Sequence, residues 1–282
     1  MSAAGEYWFT GRDGLRLFSR VYAGPAAAAP VVVCLHGLTR NGRDFEELAP
    51  HLAATHRVLV PDVRGRGLSA RDPSPANYQI PTYVGDLLEL FKGLGTARIG
   101  VVGTSMGGLI GMVLAATMPG LVSHLVLNDV GPEVDPAGLE RIRGYAGRSA
   151  PVQDWAGAVL QLRGIFESAW PGLEETRWQQ LARRSYRADA QGVPRADADP
   201  AIGEVLRNSS SAAPDLWPLW GALGKVPILA IRGAHSDVLS AATLARMQRE
   251  KPDLKALTVN NRGHAPLLDE PECLAAIDAF LA

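Results

Sequence analysis

The chain has no surplus of charge: over 282 residues, 28 Lys and Arg stand against 29 Asp and Glu, a formal net charge of -1. Its basic residues are scattered, so neither nucleic acid nor an anionic membrane surface is expected as a partner. Cysteine is almost absent, with only Cys34 and Cys273 present. Cys34 falls inside an expected strand and Cys273 in the first turn of the last expected helix, so no disulfide is expected, and both thiols fit a reducing compartment. No Cys–His cluster has metal-ligand spacing, and neither a metal nor a cofactor is expected. Long apolar runs are missing too. The helix-like stretch 106–118 is shorter than the ~20 residues that span a bilayer and stops at Pro119. Residues 1–14 lack a basic start, an apolar segment and a small-residue cleavage site, so a soluble, cytoplasmic protein is expected. No internal repeat is present. A hydrophobic fraction of 47% excludes disorder and supports one large core or two modest ones.

What the chain does contain is a serine on a glycine-flanked turn, Gly103-Thr104-Ser105-Met106-Gly107. Residues 98–102 before it read as a buried strand, and 106–118 after it read as an apolar helix ended by Pro119-Gly120. A side chain at such a strand-to-helix turn is presented in a strained, exposed conformation, and the glycines are needed where a Cβ would meet the neighbouring strand and helix. The five-residue pattern is loose by itself. Its weight comes from an acid and a histidine following in chain order. Asp237 lies on the loop after the expected strand 226–231, and His264 on the loop after 256–259. A serine hydroxyl needs an imidazole to take its proton, and the imidazole needs a carboxylate to fix its tautomer, so Ser105, His264 and Asp237 are the expected nucleophile, base and acid. A tetrahedral intermediate also needs donors already in place. The expected ones are the backbone N–H of Met106, at the positive end of its helix, and that of Leu38, in the loop His36-Gly37-Leu38-Thr39-Arg40-Asn41-Gly42.

From residue 31 onward strands and helices alternate, the pattern of a parallel sheet covered on both faces. Strands are expected at 31–35, 57–61, 99–103, 122–128, 226–231 and 255–259, with a hairpin of 6–10 and 15–22 at the sheet edge. Helices are expected at 43–54, 82–94, 106–118, 241–250 and 272–281. The alternation breaks between Asn128 and Val226, where segments 137–148, 152–166, 174–186 and 200–206 read as helices and no strand is expected. A structureless loop of that length is implausible, so this is a helical insertion.

His36-Gly37, the run from Asp62 to Ser69, the turn at Ser105, the Gly233 to Asp237 loop and Gly263-His264 occur in an order that resembles the α/β-hydrolase superfamily over nearly the whole chain. The overall look is similar to its small bacterial esterases, enol-lactonases and cofactor-free haloperoxidases. The resemblance implies an α/β-hydrolase fold, with a mostly parallel central sheet, helices on both faces and a helical cap insertion over the active site. The expected division is core 1–131, cap 132–215 and core 216–282. Members differ in which strand carries the acid, which makes Asp129, in Asn128-Asp129-Val130-Gly131, the alternative to Asp237. His36 is expected to organise the loop around Leu38. Arg64 and Arg66 are read as part of a salt-bridged loop positioning that segment, with a substrate carboxylate as the other reading. Arg183, Arg184 and Arg187 read as a solvated helix face. Trp155, Trp170 and Trp178 either line a pocket or pack the cap. A serine nucleophile argues for a carbonyl substrate over displacement at saturated carbon, so an ester, lactone or thioester hydrolysed through an acyl-enzyme is expected. A C–C bond hydrolase of ring-fission products and a cofactor-free perhydrolase or haloperoxidase share these residues, and a small-molecule receptor shares the fold. The expected partner is a small acyl substrate; self-association is left open.

Overall fold

Five consecutive apolar residues make β3 (Val31–Leu35), and four of them are buried, as a strand covered on both faces requires. In the computed structural model, which describes residues 4–208 and 215–282, β3 lies within an eight-stranded sheet. Parallel to it run β4 (Arg57–Asp62) on one side and, on the other, β5 (Ile99–Thr104), β6 (Val122–Asn128), β9 (Ile228–Gly233) and β10 (Lys255–Val259). The hairpin of β1 (Gly5–Thr10) and β2 (Arg16–Tyr22) joins antiparallel through β2 to β4 and forms one edge. The order β1-β2-β4-β3-β5-β6-β9-β10 puts the strands before the serine turn and before Asp129 side by side, with β3 on the far side of β5.

Helices cover both faces. On one, α2 (Ile80–Gly93), α3 (Met106–Thr117), α8 (Trp217–Ala222) and α9 (Ala241–Glu250) enclose a core containing Leu90, Ile110, Leu125, Trp220 and Met247. On the other, α1 (Leu48–Leu52) and α10 (Pro271–Leu281) pack on Val32, Val58, Val102 and Ile231. Free, buried Cys34 and Cys273 belong to this second core. Among the described residues no helix is long and apolar enough to cross a membrane.

The insertion between β6 and α8 holds α4 (Pro136–Tyr145), α5 (Trp155–Phe166), α6 (Glu175–Ser185) and α7 (Ala201–Asn208). Asp135 and Asp154 cap α4 and α5, accepting hydrogen bonds from the Ala137 and Gly157 amides. α5 and α6 share an apolar seam of Leu162, Phe166, Trp178 and Leu181. Residues 209–214, near the expected end of the cap, lie outside the described residues.

Four local expectations are corrected. The insertion is not wholly helical: β7 (Tyr186–Ala188) and β8 (Pro194–Ala196) pair as an antiparallel hairpin, three residues each and so too short to show a period of two. The expected helix 43–54 is a 3₁₀ turn, Gly42–Phe45, followed by the short α1, which carries Pro50. α8 is an additional short helix, concealed by Pro218 and Gly221 within it. β9 starts two residues later than expected, after Pro227, which has no N–H for the ladder, and runs on to Gly233.

Candidate active site

Ser105 sits between β5 and α3 with φ 52° and ψ -117°, a conformation a non-glycine residue adopts only where its surroundings impose it. The surroundings here are close on both sides. A Cβ on Gly103 would come within 2.4 Å of the Gly107 carbonyl carbon, and one on Gly107 within 2.0 Å of the Leu35 oxygen. Both glycines are therefore needed for α3 to start against β3 and β5.

The His264 Nε2 lies 2.9 Å from the Ser105 Oγ, and its Nδ1 lies 2.8 Å from Asp129 Oδ2. An ionised carboxylate only accepts, so Nδ1–H donates to Asp129 and Nε2 is left to accept from the serine hydroxyl. Asp129 is fully buried and is held by two further donors, the Gly233 amide at 2.8 Å and the Ser236 hydroxyl at 2.6 Å. Its position follows from the sheet register. Thr104 pairs with Asn128, and the Ser105 amide donates to the Asn128 carbonyl, so the residue after Asn128 leaves its strand beside the serine. The Asn128 side chain also donates to the Pro266 carbonyl at 2.9 Å, tying the His264 loop to the same strand end.

Asp237 is not the histidine's partner, which corrects the expected acid. Its carboxylate receives two hydrogen bonds from the Arg141 guanidinium of α4, at 2.5 and 2.8 Å. Burial alone would raise its pKa, but those bonds and the Arg141 charge outweigh it and hold the group below the ordinary carboxylate value. The register is the reason. Ile231 is level with Asn128, and the loop beyond it turns away toward α4 before Asp237 is reached. Ser236, one residue nearer, is the one that meets Asp129.

The segment after β3 is fixed by His36. Its Nδ1–H donates to the Gly37 carbonyl at 2.8 Å, and its Nε2 accepts from the Val63 amide at 3.0 Å. That carbonyl shares a peptide plane with the Leu38 N–H, so the imidazole sets the direction of the amide. Burial chiefly, helped by the Arg66 and Arg40 charges and opposed by the Gly37 bond, lowers the His36 pKa to about 4, so the ring stays neutral at pH 7. Among the described residues the Leu38 N–H has no protein acceptor, and that of Met106, first residue of α3, has no intrahelical one.

The family model for the alpha/beta hydrolase fold matches residues 30–148. The 3-hydroxybutyrate-oligomer hydrolase of Cupriavidus necator is 35% identical over 266 residues, spanning 91% of this chain and 90% of its own. The chain belongs to the α/β-hydrolase family. A crystallised α/β hydrolase from Novosphingobium aromaticivorans is similar over 100% of this chain and 99% of its own, with 43% identity and a TM-score of 0.94. The 2-(acetamidomethylene)succinate hydrolase of Mesorhizobium japonicum is 27% identical over 90% of this chain and 88% of its own.

In this hydrolase residues of the insertion line the cavity at the serine. A cavity of about 70 Å³ is lined by Ser105, His264, Leu38, Ile142, Phe166 and Trp170. A wider one of about 350 Å³ shares Thr39, Arg40, Tyr145 and Phe166 with it. The three tryptophans divide. Trp170 lines the inner cavity and donates through Nε1 to the Ala265 carbonyl at 2.8 Å, Trp178 is buried within the cap, and Trp155 lies under the Arg183 guanidinium.

The arginines behave less uniformly than their sequence suggests. Arg64 is buried and ion-paired with Asp13, Asp72 and Asp86, so it is structural. Arg184 is not part of a solvated face: it is buried and paired with Glu46 and Glu47, docking α6 onto the core, while Arg187 pairs with Asp197. Arg66 is buried with no ion pair among the described residues. Nothing in the sequence marked it apart from Arg64.

Proposed function

We propose that this hydrolase is a serine esterase that cleaves small esters of hydroxy acids through an acyl-enzyme on Ser105. The observation that carries this reading is the unbroken series from Asp129 through His264 to Ser105, at 2.8 and 2.9 Å, under a cap and beside the Leu38 and Met106 amides, for which no backbone acceptor is found among the described residues.

His264 Nε2 takes the Ser105 proton as Oγ bonds to the substrate carbonyl carbon, and the carbonyl electron pair moves to oxygen, where the Leu38 and Met106 N–H groups meet it. Asp129 holds the imidazolium through Nδ1. When the tetrahedral intermediate collapses, the ester C–O bond breaks and Nε2–H delivers the proton to the departing alkoxide, giving the alcohol and the acyl-enzyme. Water then attacks with the same imidazole as base, releasing the acid and restoring the serine.

For the substrate class, the cavity sizes and the 35% identity to a 3-hydroxybutyrate-oligomer hydrolase point the same way. The inner cavity of about 70 Å³ suits a short acyl unit, and the adjoining one of about 350 Å³ suits the rest of a short oligoester. The two free, buried thiols fit a reducing, cytoplasmic setting.

The test is active-site labelling by a fluorophosphonate together with hydrolysis of 3-hydroxybutyrate dimer and trimer against p-nitrophenyl esters of increasing chain length. Labelling at Ser105 that disappears in Ser105→Ala, with turnover favouring the hydroxyacyl oligoesters, is expected. No label and no ester turnover would remove the reading; labelling with preference for long-chain esters would remove the substrate class.

A further inference from the structure

Arg66 is fully buried, yet no carboxylate pairs with it among the described residues. Burying a guanidinium without a counter-charge is costly, and dipoles alone compensate only part of it. The dipoles it does find are specific. Nε donates to the Leu38 carbonyl at 2.9 Å, Nη1 to the Arg64 carbonyl at 2.7 Å and the Tyr83 hydroxyl at 3.0 Å, and Nη2 lies 3.6 Å from the Met106 sulfur. The Tyr83 and Tyr78 rings face the guanidinium at 5.0 and 5.7 Å. One buried cation thus touches both residues whose amides the esterase reading assigns to the oxyanion.

We propose that Arg66 is a positioning residue for the oxyanion site: it locks the Leu38 segment against Met106 and holds there a positive charge, without an ion pair of its own, that favours the negative charge developing on the substrate oxygen. This rests on the serine-esterase reading and deepens it. In the resting site the cation has dipoles and rings around it. In the tetrahedral intermediate an anion forms at the Leu38 and Met106 amides that this cation braces, so the interaction grows along the reaction coordinate and lowers the barrier without tightening substrate binding. Arg64, two residues away, has no such part, because Asp13, Asp72 and Asp86 already neutralise it.

The test compares Arg66→Met and Arg66→Lys with the unaltered enzyme in three readouts: the rate of fluorophosphonate labelling, inhibition by phenylboronic acid, which forms an anionic tetrahedral adduct, and the kcat and KM for p-nitrophenyl acetate. Thermal melts check folding. Arg66→Met is expected to lose about 100-fold or more in labelling rate and kcat, with boronate affinity weakened in parallel and KM within about threefold. Arg66→Lys, which keeps the charge, is expected to recover about tenfold of that loss. If Arg66→Met does not fold, Arg66→Gln, neutral but still able to donate to the Leu38 carbonyl, replaces it with a smaller expected loss of at least about tenfold. A folded neutral variant that labels and binds boronate like the unaltered enzyme, or a lysine variant no faster than the neutral one, overturns the proposal. Failure of the unaltered enzyme to label would instead remove the esterase reading, and this inference with it.

Discussion

Asp129 and Asp237 are both carboxylates on loops at the same end of the sheet, and their partners assign them opposite consequences. Asp129→Asn replaces an acceptor by an amide that can donate to Nδ1, turning the imidazole to the tautomer that cannot accept the serine proton; kcat is expected to fall ~10⁴-fold with the fold intact. Asp237→Asn loosens only a half-exposed pair with Arg141, so kcat should stay within about twofold and stability within about 1 kcal/mol. Steady-state kinetics and melts of the two purified variants decide the assignment, and the reverse pattern would restore Asp237. The sequence could not make this choice, since both residues follow strands at usable spacing. The register that sets Asn128 beside Thr104 is a property of the paired strands. Ser105 and His264 were legible because a glycine-flanked turn and a loop after the last strand are local patterns. Arg66 was legible only as a basic residue near Gly65, because its want of a counter-charge depends on which carboxylates the fold brings to Arg64.

At the scale of the element, the loop after β3 depends on a neutral His36. Its folded pKa of about 4 lies below the ordinary 6.5, so below pH 6.5 the unfolded chain takes up a proton that the folded chain refuses. The His36 contribution is complete above pH 6.5 and is lost as the pH falls toward 4, a fall on the order of 3 kcal/mol. Urea denaturation between pH 7 and 4 should show that slope in the unaltered protein and a shallower one in His36→Gln; equal slopes would refute it. Helix and strand boundaries were mostly readable to within two residues, because apolar periodicity and the Pro and Gly stops are local. The β7–β8 hairpin and α8 were missed, as each is too short to carry a period.

At the scale of the whole molecule, the insertion is held through charge at one edge, where α6 meets Glu46, Glu47 and Asp269. Arg177 pairs with Glu47 and Asp269, and Arg184 with Glu46 and Glu47, so a single carboxylate serves two arginines of α6. Hydrogen bonds from Arg177, outweighing burial, lower the Glu47 pKa to about 2. Glu47→Gln removes both pairs at once. Because Glu47 is partly exposed, the expected loss is about 1 kcal/mol, read as a roughly fivefold rise in KM with kcat little changed. High salt should raise KM in the unaltered enzyme and have less effect in the variant, and an unchanged KM would show that these pairs do not hold the roof of the cavity.

By itself the sequence determined the elements and their order, the serine turn, the histidine and the presence of an insertion, because period, glycine spacing and chain order act over a few residues. Only the tertiary structure decided which carboxylate reaches His264, which tryptophan meets the cavity, and which arginine is buried without a counter-charge. Those outcomes depend on distances between residues far apart in the chain, which strand register and cap packing set and which no local spacing encodes.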